Sequence, residues 1–397
     1  MQYSAPTFDV NLDPGGFVID LDRLYAALTH VKDSRHARGL RYSLVTSLVC
    51  IVLAKLAGED YLAGIAEWVA HRKETLSAML HWAKPRAAHR TTYSRILGKI
   101  INMANFEQVV HDFFAQHPQA GQSLHLTLDG KTLRGTIPAG QTRGVHLLAA
   151  YLPDEGWVLV QVEVGAKENE IPAAARVLKC LDLQGKIITG DALLAQRELS
   201  RQIVEAQGDY VWTVKANQPQ LCQDLDTLFA GEVCTPGLSA PPKDWRSATT
   251  VDKAHGRIER RTLTASQDLK GYLDWPYAEQ VFRLDRQFVR VADGHVRHER
   301  VYGITSLTAQ EADAPRLLEI VRQHWLIENR LHYRRDQTMR EDWYHVRLGT
   351  APQAMAVINN LVLGLLDKQS YRSVPEARRY YAAHLDQAWN LIAQSPA

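Results

Sequence analysis

Between Leu21 and Ala115 the apolar positions keep a helical beat. Leu21, Leu24, Leu28 and Val31 recur at three- and four-residue steps, and Tyr42 to Leu56 is apolar nearly throughout. Ile65 to Leu80, Thr92 to Ile101 and Phe106 to Ala115 continue the pattern. The spacing predicts a helical block that follows a loose leading segment and closes near Pro118-Gln119-Ala120-Gly121. After Gly121 the period shortens to two. Leu124 to Leu128 alternates into Asp129-Gly130-Lys131, which reads as a strand ending in a turn. Val145 to Leu152 and Trp157 to Val164 read as two more strands. Ile171 to Leu181 reads as a helix, Lys186 to Thr189 as a short strand, Leu194 to Ala206 as a helix and Tyr210 to Lys215 as a strand. That order predicts an α/β fold, a mixed sheet flanked by helices. Ile258 to Leu263, Gln280 to Val291 and Val296 to Ile304 are rich in β-branched residues and Arg, and a last helical block starts at Pro315. The expected boundaries are a helical domain at 1–120, the first part of the α/β core at 121–218, a β-rich insertion at 219–310 and closing core helices at 311–397.

Composition narrows the class. The 397 residues are 46% hydrophobic and 23% charged, an ordinary globular balance. The formal net charge of +2 announces no nucleic-acid partner, so any such role must come from local clusters. Four cysteines, none in a CxxC pair, argue against a disulfide framework or a cysteine zinc site. The most apolar stretch, Leu44 to Ala54, is shorter than the about 20 residues a membrane span needs. The start of the chain lacks the basic and apolar runs of a signal peptide. The expectation is a soluble, cytoplasmic protein with no membrane partner.

Two acids stand at strand ends, Asp129 before Gly130 and Asp191 after Gly190. A carboxylate at the C-terminal lip of a strand is held by the sheet and open to a ligand. Each taken alone also reads as a turn residue. The third group lies in Arg322 to Asp336. Continued as a helix, this segment sets His324, Glu328, His332 and Asp336 four apart on one stripe, with Trp325, Ile327 and Leu331 turned to packing. An exposed salt-bridged face is the alternative, and HxxxExxxH is not the HExxH spacing of a zinc hydrolase. Three carboxylates converging from two strand ends and a helix would suit Mg²⁺ or Mn²⁺, which take oxygen ligands. Two such ions can activate an attacking oxygen and stabilise a leaving one in phosphodiester displacement.

Several stretches resemble one group of proteins, in order and over nearly the whole chain. They are LDGKTLRGT (128–136), KENEIPA (167–173), ITGDALLAQ (188–196), DYVWTVKANQ (209–218), HGRIERRTL (255–263), YGITSL (302–307) and HWLIENRLHYRRD with REDWYHVR (324–347). The chain resembles the H-repeat-associated bacterial insertion-sequence transposases, of the DDE class with an RNase H-like core. The resemblance implies that Asp129, Asp191 and Glu328 are the catalytic and metal-binding acids, holding two Mg²⁺ or Mn²⁺ ions. It implies cleavage and joining of double-stranded DNA at terminal inverted repeats and a target, by a homodimer, with the helical N-terminal domain binding DNA or serving assembly. The acids are 62 residues (191 minus 129) and 137 residues (328 minus 191) apart, and the second gap has room for the insertion. Related enzymes carry a Tyr-x2-Arg-x3-Glu-x6-Lys signature; in that register this chain has Val321, His324, Glu328 and Arg335. Leu194 stands where the group has a His, and Glu341 and Asp342 are further candidate ligands. Lys131, Arg134, Lys215, Arg257, His324, Arg330 and Arg335 are the expected DNA contacts, since cationic and polar side chains neutralise or bind phosphates. A transposase-derived DNA-binding protein that no longer catalyses, and a metal-dependent nuclease, are the competing expectations.

Overall fold

The structure is a computed structural model that describes residues 22–36, 40–82, 85–115, 124–230, 244–254, 256–367, 369 and 371–393. The expected leading segment and the boundary near residue 120 lie outside them. The chain divides into two units. One comprises Met1–Ser123, Gly130–Val164 and Glu328–Ala397; the other comprises Leu124–Asp129 and Gly165–Ile327. No helix among the described residues is long and apolar enough to cross a membrane.

The first unit holds the helical block. Its helices are α1 (Asp22–Thr29), α2 (Leu44–Leu56), α3 (Leu62–His71), α4 (Lys73–Met79), α5 (Arg90–Arg95) and α6 (Met103–Ala115). One helix was expected over 65–80. The structure instead breaks it at Arg72, whose N–H bonds Val69 three residues back while φ opens to −115°. α5 runs on into a π-helical turn, Ile96–Ile100. The second unit carries α7 (Glu170–Lys179), α8 (Arg197–Glu205), α9 (Pro219–Phe229) and α10 (Ala314–His324), and the first unit adds α11 (Ala351–Asp367), α12 (Val374–Ala383) and α13 (Leu385–Ala393). α11 is apolar on most sides and buried along most of its length, as a central core helix must be.

The strands are β1 (His125–Thr132), β2 (His146–Leu152), β3 (Trp157–Glu163), β4 (Ile187–Gly190), β5 (Asp209–Val214), β6 (Arg246–Ala254), β7 (Arg257–Ser266), β8 (Gln280–Arg290) and β9 (Val296–Thr305). β1 is shared by both units. Their order is β3-β2-β1 in the first and β1-β4-β5-β9-β8-β7-β6 in the second. β1, β4 and β5 are parallel, whereas β2–β3, β5–β9 and the β6–β9 ladders are antiparallel. This mixed sheet with flanking helices is the α/β class that the order of strands and helices indicated. β9 hydrogen-bonds to β5, so the β-rich segment extends the sheet of its own unit. α10 covers that sheet, with Leu317 and Val321 packed on Leu263, Phe282, Leu284, Ile187 and Val211.

Two local expectations are corrected. Asp129-Gly130 is not a turn, because β1 runs through it to Thr132. Gly130 is absent from the positive-φ glycines, and the hairpin closes later, where the Leu133 N–H donates to the Val145 carbonyl at 2.8 Å. The helix expected through Asp336 ends at His324. Beyond it lie π-helical turns, Ile327–His332 and Arg334–Thr338. A π-turn bonds five residues back, so the four-residue stripe His324–Glu328–His332–Asp336 does not keep one face.

Candidate active site

In the second unit β1 and β4 run parallel with Thr127 opposite Thr189. That offset of 62 residues (189 minus 127) also separates Asp129 from Asp191. Two residues further along, alternation returns each side chain to the same face. The Thr127 and Thr189 hydroxyls are 3.2 Å apart on that face, and the two aspartates follow them. Asp129 is half-buried and Asp191 exposed. The carboxylate of Asp191 accepts the backbone N–H groups of Leu193 (2.9 Å) and Leu194 (3.3 Å), which fixes it just past the strand. Partial desolvation of this carboxyl raises it above the ordinary aspartate range against those donors, and the negative charges of Glu170 and Asp129 add to the rise. Glu170, at the start of α7, thus belongs to the same acidic neighbourhood. It sits inside the KENEIPA stretch but drew no separate notice in the sequence.

Beneath the acids lies a polar network centred on the buried Thr189 hydroxyl. His125 Nε2 is 2.9 Å from it, His324 Nδ1 3.1 Å and the Leu126 carbonyl 3.4 Å. His125 Nδ1 faces Gln323 Oε1 at 3.0 Å. Burial pushes both imidazoles down to about 4, so both are neutral near pH 7. Hydrogen-bond logic then assigns their protons. Nδ1–H of His125 donates to Gln323, its Nε2 accepts from Thr189, and Thr189 accepts from Nδ1–H of His324. The lone pair of His324 Nε2 is left over, on a ring that feels the Asp129 charge. His324 therefore supplies a neutral acceptor rather than a cation. Leu194, in the place of the group's His, is fully buried; a methyl added to the neighbouring Gly190 would meet its Cβ at 3.1 Å and the Trp212 ring at 2.7 Å.

Glu328 is exposed in the π-turn Ile327–His332, and it belongs to the first unit whereas Asp129 and Asp191 belong to the second. Among the described residues no group of three His, Cys, Asp or Glu stands close enough to hold a metal. Lys131 is buried, with Nζ 2.5 Å from Asp336 and 3.8 Å from Asp342. Arg335 is fully buried; it donates to Glu341 at 2.8 Å and to Asn360 at 3.2 Å. Burial pushes the Glu341 carboxyl up, but Arg335 and Lys131 outweigh it and hold it below the ordinary range. Glu341 is thus committed inward, and Asp342 accepts the Arg134 backbone N–H at 3.1 Å. Arg134, Lys215 and Arg257 are exposed, Arg257 lying over the Phe288 ring. Arg330 is exposed and reaches the Pro153 carbonyl at 3.3 Å.

Comparison with known proteins gives two family matches. Residues 120–365 match the model described as "Transposase DDE domain", and residues 25–114 match "DDE_Tnp_1-associated". "Putative transposase YncI" of Escherichia coli O157:H7 is 27% identical over 88% of this chain and 88% of its own. "H repeat-associated putative transposase YhhI" of E. coli K12 is 23% identical over 93% and 96%. A Xanthobacter autotrophicus protein known as "Uncharacterized protein in dhlA 3'region" is 31% identical over 70% of this chain and 92% of its own. Among solved structures, the piggyBac transposase synaptic complex with hairpin DNA aligns over 94% of this chain and 77% of its own at 10% identity. The TM-score there is 0.40, too low to carry an argument.

Proposed function

The chain belongs to the Transposase DDE domain family, and on that premise we propose that it cuts insertion-sequence ends and joins them to target DNA. Asp129, Asp191 and Glu328 are the proposed metal-binding acids. The observation that supports this reading is the pairing of Thr127 with Thr189: Asp129 lies two residues beyond Thr127 in β1, and Asp191 two residues beyond Thr189, just past β4. Their donor set fits Mg²⁺ or Mn²⁺: the ligands are carboxylate oxygens, and the like charges around Asp191 are of the kind a divalent cation relieves. When bound, one or two such ions would polarise the scissile phosphate and lower the pKa of an attacking water.

The chain's own residues do the rest. β1 fixes Asp129, and the Leu193 and Leu194 amides fix Asp191. Neutral His324 offers Nε2 as an acceptor beside Asp129, suited to orienting a water. Exposed Arg134, Lys215, Arg257 and Arg330 would meet phosphates. Both DNA ends would be held by a homodimer.

Nicking of a supercoiled plasmid carrying the element's ends, in Mg²⁺ or Mn²⁺, tests the proposal. Asp129→Asn, Asp191→Asn and Glu328→Gln are each expected to abolish nicking while DNA binding persists. Normal nicking by any one variant removes that residue from the ligand set. Binding without nicking by the wild type would favour the non-catalytic alternative, to which buried Leu194 points.

A further inference from the structure

We propose that a concave, arginine-rich surface of the first unit binds a single strand of DNA, an inference that rests on the DNA-processing role proposed above. The concavity has a volume of about 920 Å³ and is lined by the α2–α3 loop, the π-turns after Glu328 and the start of α12. Five arginines reach it. Two are committed inward, Arg378 to Asp60 at 2.6 Å and Arg334 to Asp367. Among the described residues no carboxylate pairs with the side chains of Arg340, Arg372 or Arg379, and all three are exposed. Of the acids in the wall, Asp60 is matched by Arg378 and by Lys55 at 3.7 Å, leaving Glu59. Positive charge is therefore concentrated here in a chain whose net charge is only +2.

Arg340 adds a second observation. Its φ of 52° is one that a non-glycine residue rarely adopts. The next residue, Glu341, is locked by Arg335, so the backbone that presents Arg340 is held in place. Strained backbone of this kind gathers at functional sites.

Aromatic rings complete the chemistry. Tyr333 is 61% exposed and Tyr61 42% exposed on the same surface, and Tyr61 is braced edge-on by Tyr344 at 5.2 Å. Unpaired guanidiniums beside open rings recognise a single strand, whose phosphates pair and whose bases stack. A duplex hides its bases, and an acidic peptide has no use for the rings. The volume lies in the range of small-ligand sites, about 300–1,000 Å³, which suits a short run of one strand. Asn329 also lines the surface, directly after Glu328 in sequence, so a strand bound here would lead toward the proposed third acid.

The test is fluorescence anisotropy of the full chain with a dye-labelled single-stranded oligonucleotide, in EDTA and over a range of salt. Arg340→Asn combined with Arg372→Ala and Arg379→Ala is expected to weaken binding tenfold or more. The slope of log K against log salt should shallow by about 2, since each lost single-strand phosphate contact removes about 0.7. Asn tolerates the left-handed backbone at position 340. Arg379→Ala alone, an exposed change on α12, guards against a folding defect in the combined variant and should itself weaken binding. Tyr333→Ala should weaken single-strand binding with little change in salt slope, and duplex binding should fall less in every variant. Unchanged single-strand affinity and slope would overturn the proposal, as would equal losses for strand and duplex, or displacement by polyglutamate but not by unlabelled strand. Intact nicking alongside failed strand binding would sink this inference alone.

Discussion

Thr189 has one proton and, within 3.5 Å, two imidazole nitrogens, a hydroxyl and a carbonyl. Thr189→Val keeps the shape and removes the oxygen, stranding the His125 and His324 nitrogens in a buried place. Leaving such a group unsatisfied costs about 1–3 kcal/mol. Urea denaturation should show a loss of that order; a loss below it would mean that the network is loose. The depressed imidazole of His125 also sets a pH dependence. Unfolded, it takes a proton near 6.5; folded, not until about 4. The unfolded state therefore binds more protons in between, and stability falls as pH drops from about 6.5 to about 4. One proton is worth at most about 1.4 kcal/mol per pH unit. His125→Gln should flatten that slope, and an identical slope in the variant would refute the assignment. Asp129 and Asp191 were legible because each closely follows an apolar run, Leu124 to Leu128 and Ile187 to Thr189. Thr189 and His125 were not, because a threonine and a histidine within a strand carry no signal until the neighbouring strand and α10 meet them.

At the scale of elements, periodicity found β7, β8 and β9 but missed β6 and α9. β6 alternates only between partly buried and exposed positions, so RSATTVDKA offers no apolar face to read. The segment after His324 misled for another reason. Its side chains have helical spacing, but the backbone widens into π-turns that a four-residue pattern cannot reveal. Those turns have an ionic anchor. Arg335 joins the second π-turn to the short 3₁₀ turn Glu341–Trp343 and to Asn360 of α11. The sequence suggested Arg335 as a phosphate contact, whereas its burial makes it a core group. Breaking such a buried pair costs about 3–5 kcal/mol, because the other charge is left uncompensated. Arg335→Leu should lose stability on that scale, and adding Glu341→Leu should recover most of it. Additive losses in a double-mutant cycle would show that the pair is not coupled.

For the whole molecule, cation binding joins the site chemistry to stability. The chain passes between its two units at Ser123–Leu124, Asp129–Gly130, Val164–Gly165 and Ile327–Glu328; Asp129 and Asp191 fall in the second unit and Glu328 in the first. A reader of sequence order alone sees contiguous domains and cannot see a chain that leaves a unit and returns. An ion bound by the folded chain and not by the unfolded one stabilises the fold by mass action, about 2.7 kcal/mol at a hundredfold excess over its dissociation constant. Thermal unfolding in rising Mn²⁺ should therefore move to higher temperature. Asp191→Asn should abolish the shift, since it removes an acid that the Leu193 and Leu194 amides hold in place. Glu328→Gln decides between a two-acid and a three-acid site: a reduced shift places Glu328 among the ligands, and a full shift leaves Asp129 and Asp191 to hold the ion. Ca²⁺, larger and also bound by oxygen, should raise the midpoint without supporting nicking. A wild-type shift retained in Asp129→Asn/Asp191→Asn would locate the ion elsewhere and remove the metal chemistry from this pair of strands.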